Sequence, residues 1–260
     1  MLKKPTELRS GLASRPIQTR NGRPSMVDSG AYTYIGKGVY GIPDAARITK
    51  VGAARIRRWI DGYRREGSAR PAVLQRQHEP IGDRLALGFL DLVEVRLANA
   101  FLHAGVKWRA MWQLHNVARE MVGHAHPLAT GRFRTDGHRV FEALANGALQ
   151  AEPSEVMDIL SRQMHFAKVV TPYFKDLDLD TESANGATRW WPLGKDRSVV
   201  IDPMRCFGQA VVDAEGVPTL VLAQAMKVER SISRVARWYA VSDESVRDAV
   251  AWESQLAHAA

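Results

Sequence analysis

The chain reads as a mainly helical protein with a smaller β component, an α+β fold. Three observations predict this. Apolar residues recur at helical spacing through 42–63, through 85–121 and again toward the C-terminus. Runs of β-formers gather between His165 and Ile201, where turns such as Asn185-Gly186 separate them. A shorter stretch, Arg132 to Leu144, alternates around Thr135-Asp136-Gly137 as a hairpin would.

Taken in order, residues 1–39 are rich in Arg, Ser, Gly and Pro and read as a flexible basic arm. Residues 40–145 form a first domain that opens with two short helices. Leu85, Phe89, Leu92, Val93, Arg96 and Leu97 predict a long helix. Gly105 breaks it, and a second helix runs through Met111, Leu114, Val117 and Met121. Residues 146–200 read as a central connector with β-strands. It starts with a short helix over Pro153–Gln163 that has Ser154 or Glu155 in its first turn. Val169, Val170, Tyr173 and Phe174, and later Val199, Val200 and Ile201, supply its strand-forming residues. Residues 201–260 return to helix as a C-terminal three-helix domain.

No apolar run approaches the roughly 20 residues of a membrane span, and no secretory leader is legible. Cys206 is the single cysteine, which excludes an internal disulfide and a thiolate zinc site. A cytoplasmic protein without membrane contact is expected. The formal net charge of +8 points to an anionic partner, and its distribution says more. Between Arg47 and Arg76 nine basic residues face only Asp61 and Glu66; from Ile201 onward six face eight acids.

Within the basic stretch, Ala46, Val51 and Ile56 have the spacing of a helix-turn-helix: a small residue under the crossing, an apolar turn and an aliphatic seal. Pro43 suits a first helical turn. In the second helix Ile56, Trp59, Ile60 and Tyr63 share one face. Ala54, Arg58, Asp61 and Arg65 fall opposite, flanked by Arg55 and Arg57. Lys50, Ala54, Arg55, Arg57, Arg58 and Arg65 are therefore the candidate DNA-binding residues. Phosphates supply most of the affinity, and this face is cationic.

The same offsets recur from Ile232 with Ala236, Val241 and Val246. Here Ser242 is a natural N-cap, and Asp243, Glu244 and Asp248 outnumber Arg247. An acidic face opposes DNA, so the second unit reads as a protein-contact or dimerisation module. Trp238, Tyr239, Arg247 and Trp252 are its candidate partner-binding residues.

Ile42–Tyr63 resembles the opening of MerR-like winged helix-turn-helix domains. The stretch D-L-V-E-V-R-L-A-N-A-F-L-H-A-G-V-K-W-R-A-M, from Asp91, resembles their later helices, with the break at Gly105-Val106. From Gly216, G-V-P-T and S-I-x-x-V-A-x-x-Y-x-V-S closely resemble a small trihelical domain of unknown function typical of VapB-type antitoxins. The resemblance spans roughly residues 40–145 and 198–254. It implies a type II antitoxin that neutralises a PIN-like ribonuclease toxin and represses its own promoter. Either the C-terminal module or the tail after Glu253 would block the toxin. Double-stranded DNA, the toxin, and a homodimer or toxin–antitoxin hetero-oligomer are the implied partners.

Other constellations carry less. Asp176, Asp178, Asp180 and Glu182 begin like a calcium loop, but Thr181 stands where glycine belongs and Ala187 where the bidentate Glu belongs. Alternation with Leu177 and Leu179 reads as a half-exposed strand. A magnesium nuclease built on these acids is one competing reading. His124 and His126, and the helical His103 and His115, lack the i, i+4 pairing of a helical zinc site. Neither a Ser-His-Asp or Cys-His set nor a phosphate loop is present. No catalytic residue, metal or cofactor is expected. The other alternative is a stand-alone MerR-like regulator whose Tyr173, Phe174, Trp190 and Trp191 enclose a small effector.

Overall fold

The computed structural model describes residues 34–65, 68–145, 163–180 and 186–259. Helices dominate and the strands form three small antiparallel sheets, so the α+β class holds. Residues 34–39 do not trail away as an arm. The Gly36 N–H donates to the Pro203 carbonyl (3.2 Å) and the Val39 N–H to that of Phe207 (3.0 Å). Next, β1 (Tyr40–Gly41) pairs with β4 (Ala86–Leu87), and the buried Tyr40 hydroxyl donates to the Gly208 carbonyl at 2.7 Å. The start of the described chain is thereby tied to a loop far along the sequence.

Helices α1 (Ile42–Thr49) and α2 (Ala53–Asp61) follow, then a hairpin of β2 (Tyr63–Arg65) and β3 (Ser68–Arg70). The long helices α3 (Phe89–His103) and α4 (Trp108–Val122) flank the expected break, where Gly105 takes a φ of 94°.

Two expectations fail at this point, for one reason. Arg132 to Leu144 is not a hairpin but part of α5 (Gly131–Ala145). Phe133, Gly137 and Val140 are buried along it, a helical i, i+4, i+7 set, and Thr130 Oγ1 accepts the Phe133 N–H at its start. Gly137 is a close-packed helical residue rather than a turn. Similarly, Val169, Val170, Tyr173 and Phe174 lie in α6 (Gln163–Lys175), with Val170 and Phe174 inward and Pro172 inside the helix. In both segments packing of a helical stripe overrides local β preference. The helix expected over Pro153–Gln163 falls outside the described residues up to 162, and so does Asn185.

A meander of β5 (Leu177–Leu179), β6 (Ala187–Trp190), β7 (Val199–Ile201) and β8 (Ala210–Val212) comes next, paired in chain order. The chain ends in α7 (Thr219–Glu229), α8 (Ile232–Tyr239) and α9 (Asp243–His258). A large core joins α1 to α6, most of the meander and Trp252. Val212, Leu222, Val235, Ala236, Val241, Val246 and Ala249 form a second, smaller core among the last three helices.

The large core encloses a polar network on α3. Asp91 accepts the N–H of Gly88 (2.7 Å) and of Gln77 (3.1 Å), while Gln77 Oε1 takes that of Leu90. Glu94 accepts the Leu128 N–H (3.0 Å) and faces His115 Nε2 (3.2 Å). His126 Nδ1 stands 3.4 Å from both carboxylates. Burial pushes Asp91 up to about 6, against the pull of His126 and the two N–H donors. Burial also works to raise Glu94, but His115 and His126 outweigh it and hold this acid down at about 2.

Candidate nucleic-acid interface

The first helix pair is set by where the backbone must turn. Pro43 opens α1, and Lys50 closes it in the left-handed region at φ 57°. Two residues later Gly52 caps α2 without any side-chain hydrogen bond, and its first turn carries no acid. The N-terminus of α2 thus has no side-chain cap, and its Arg55 N–H turns back to the Gly52 carbonyl at 2.8 Å. Val51, Ile56, Trp59 and Ile60 are buried, and Trp59 stacks on Trp108 at 5.2 Å and 15°. The Trp59 carbonyl receives the N–H groups of Val73 and Leu74, which fixes the far end of α2.

Lys50, Ala54, Arg55, Arg57 and Arg58 are all exposed. Arg55 reaches Asn99 Oδ1 at 3.2 Å, and among the described residues no carboxylate pairs with Arg55, Arg57 or Arg58. The structure separates Arg65 from this face. Gly62, at φ 71°, ends α2, so Tyr63 and Arg65 belong to β2, where Arg65 pairs with Ser68. The buried small residue is also displaced by one: Ala45 is fully enclosed, Ala46 partly.

The second helix pair repeats the first closely. α8 has the length of α1, Ala240 takes the left-handed conformation of Lys50 (φ 52°), and Val241 and Val246 occupy the positions of Val51 and Ile56. Its surface differs in the cap, the first turn and two of the three arginine positions; Arg247 stands exposed where the first pair has Arg57. Ser242 Oγ accepts the Ser245 N–H at 2.9 Å, and Asp243 and Glu244 fill the first turn. At the positions of Arg55 and Arg58 stand Ser245 and Asp248, both buried. The Asp248 carboxylate accepts from Arg197 Nε (2.7 Å), the Ser198 N–H (2.8 Å) and the Ser198 hydroxyl (2.9 Å). Burial opposes these bonds but loses, and the Asp248 carboxyl sits below its ordinary range. The lead-in to β7 thus closes the face that α2 leaves open.

The four candidate partner residues divide. Trp238 is 63% exposed, Tyr239 lies at the surface, and Arg247 is exposed and 3.7 Å from Asp243. Trp252 is 2% exposed and belongs to the large core, so it packs the last helix inward and offers no contact surface.

The discounted constellations find internal partners. Asp178 accepts from Lys195 (2.6 Å), Trp191 Nε1 (3.0 Å) and Arg189 (2.9 Å), and Asp176 lies 3.5 Å from Arg96; Glu182 is outside the described residues. The Arg96 guanidinium sits 4.7 Å from the Tyr173 ring centre and 4.6 Å from that of Trp190. The chain's own cation therefore occupies the space between these rings, and Phe174 is buried in the core. Among the described residues no three His, Cys, Asp or Glu side chains are grouped to hold a metal ion, and no helix is long and apolar enough to cross a membrane. The buried acid–histidine network went unseen in the sequence. Its signal was there: Asp91 and Glu94 interrupt the apolar face of α3.

Geometry thus defines an α+β protein with two matching helix pairs, one with an open cationic face and one with that face closed. No family model matches the chain. It is similar to a Mycobacterium tuberculosis protein named "Putative antitoxin VapB45", with 28% identity over 227 residues that cover 82% of this chain and 92% of the relative. The crystal structure of Rv2018 from Mycobacterium tuberculosis shares the fold at a TM-score of 0.64 and 24% identity, over 81% of this chain and 96% of that one.

Proposed function

We propose that the chain is the antitoxin of a toxin–antitoxin pair. It reads duplex DNA at its own promoter through α2 and holds a PIN-like ribonuclease toxin through its C-terminal helices. The observation that carries the division of labour is the contrast between the two helix pairs. One backbone arrangement appears twice, and only the first has no side-chain cap, a first turn free of acid and three exposed arginines, Arg55, Arg57 and Arg58. Phosphates bind where helix dipole and fixed cations coincide. The hairpin β2–β3, directly after α2, has the place of a wing in MerR-like readers, and this supports residues 40–145 as the DNA-binding domain. On this reading residues 201–260 are the partner module, with Trp238, Tyr239 and Arg247 as contacts, and 146–200 connect the two. The name of the mycobacterial relative supports the antitoxin role. Arg96, lodged between Tyr173 and Trp190, weighs against a small effector held there.

The test is co-purification with the product of the adjacent coding sequence, followed by promoter-shift assays on free and complexed protein. The variant R55A/R57A/R58A is expected to lose promoter binding and keep its toxin complex, with the slope of log affinity against log salt falling by roughly one unit per lost phosphate contact. Undiminished promoter binding by that variant would sink the choice of α2.

A further inference from the structure

A cleft of about 1090 Å³ separates the first helix pair from the end of the last helix. Pro43, Ala46, Arg47, Lys50, Val51, Gly52 and Ala53 form one wall, and Ser254, Gln255, His258 and Ala259 the other. Lys50, Ser254, Gln255 and His258 are all exposed. The two walls come together because α9, seated by Trp252 in the large core, packs its far end toward α1. No carboxylate is among its lining residues; its cations are Lys50 and Arg47, the latter ion-paired to the adjacent Asp44, and Pro43, Ala46, Val51 and Ala53 give apolar surface. It also adjoins the turn through which α2 would meet DNA.

We propose that this cleft holds a stretch of DNA sugar–phosphate backbone, so that the C-terminal module is part of the DNA reader as well as the partner module. Cations and amide or hydroxyl donors suit phosphate oxygens, while Pro43, Ala46, Val51 and Ala53 suit the apolar faces of deoxyribose. The contact positions α2 without reading sequence, because Ser254 and Gln255 lie outside the helix that faces the bases. This inference rests on α2 as the reading helix, and the experiment keeps the two apart.

Three full-length variants are compared with the wild type on a random-sequence duplex and on the promoter duplex, as a function of salt. S254D/Q255E places two carboxylates on the cleft wall at exposed positions and is expected to weaken both duplexes about tenfold or more at low salt. Q255K is expected to tighten both and to steepen the salt slope by about one unit. R55A/R57A/R58A reports on α2 itself. Unchanged affinity in S254D/Q255E and Q255K, with loss in the arginine variant, would overturn the cleft and leave the reading helix standing. Retained DNA binding in the arginine variant would overturn both. If S254D/Q255E alters only retention of the co-purified toxin, the cleft belongs to an acidic protein segment and the DNA proposal falls.

Discussion

Glu94 shows how much a single residue can govern here. It is fully buried, yet held as a carboxylate by His115, His126 and the Leu128 N–H. Removing one member of a buried charged network leaves the others unpaired, which costs several kcal/mol. Glu94→Gln is expected to destabilise the protein by about 3 kcal/mol or more, read from urea unfolding. The pH dependence follows from the sign of the shift. Its folded pKa of about 2 lies below the ordinary value of 4.5, so its contribution is present above 4.5 and fades as pH falls toward 2. The acid limb of the stability curve over that window should flatten in Glu94→Gln, and an unchanged limb would refute the assignment. Asp91, raised from 3.8 to about 6, has the opposite sign and favours the fold progressively as pH drops from about 6 toward 3.8. The residues of α2 were legible because Val51, Ile56, Trp59 and Ile60 keep a clean helical stripe. Trp252 was not, because an aromatic residue on an amphipathic helix looks the same whether a core or a partner covers it. Nor was the network: its members lie far apart in the chain, and only folding brings Asp91, Glu94, His115 and His126 together.

At the scale of elements, the difference between α2 and α9 begins in their caps. Ser242 Oγ accepts the Ser245 N–H, whereas the equivalent Arg55 N–H turns back to the Gly52 carbonyl at 2.8 Å and α2 has no side-chain cap. A Cβ at Gly52 would meet nothing within 4 Å, and its φ of −55° suits any residue. Gly52→Asp is therefore expected to stabilise the fold by a few tenths of a kcal/mol through capping and the helix dipole. On the proposed DNA reading the same charge would face phosphates, so DNA affinity should fall as melting temperature rises. A variant that gains or loses both together would contradict the assigned role of that helix end. Elements were legible where periodicity ran long, as in α3 and α4. They were misread where a short helix carried the residues of another structure: Thr135-Asp136-Gly137 mimics a turn within α5, and Val169 and Val170 mimic a strand within α6. Arg65 was lost to its proposed face for a similar reason, since Gly62 ends α2 three residues before it.

Over the whole molecule, contacts far apart in sequence tie the start of the described chain to the loop between β7 and β8. Tyr40 is the clearest of these, its hydroxyl bonded to Gly208 across most of the sequence. Tyr40→Phe leaves that carbonyl unpaired and should cost about 1–2 kcal/mol. Calorimetry of the wild type should show one transition, and weakening of this tie should begin to resolve two. A single transition of unaltered midpoint in the variant would deny Tyr40 that part. The architecture as a class was legible from the sequence, because helical and strand-like segments were sorted by region. The tie between residues 34–40 and 203–208 had no local mark.

Asp248, clamped by Arg197 and Ser198, has a consequence for stoichiometry. If α2 reads DNA as proposed, the sealing of the second helix pair against the meander makes each chain univalent toward a duplex, despite carrying the same scaffold twice. A palindromic operator then has to recruit two chains, one per half-site. Half-occupancy of such a duplex would then be a real, dilutable species, and on the proposed reading the protein's concentration would set how steeply the promoter switches.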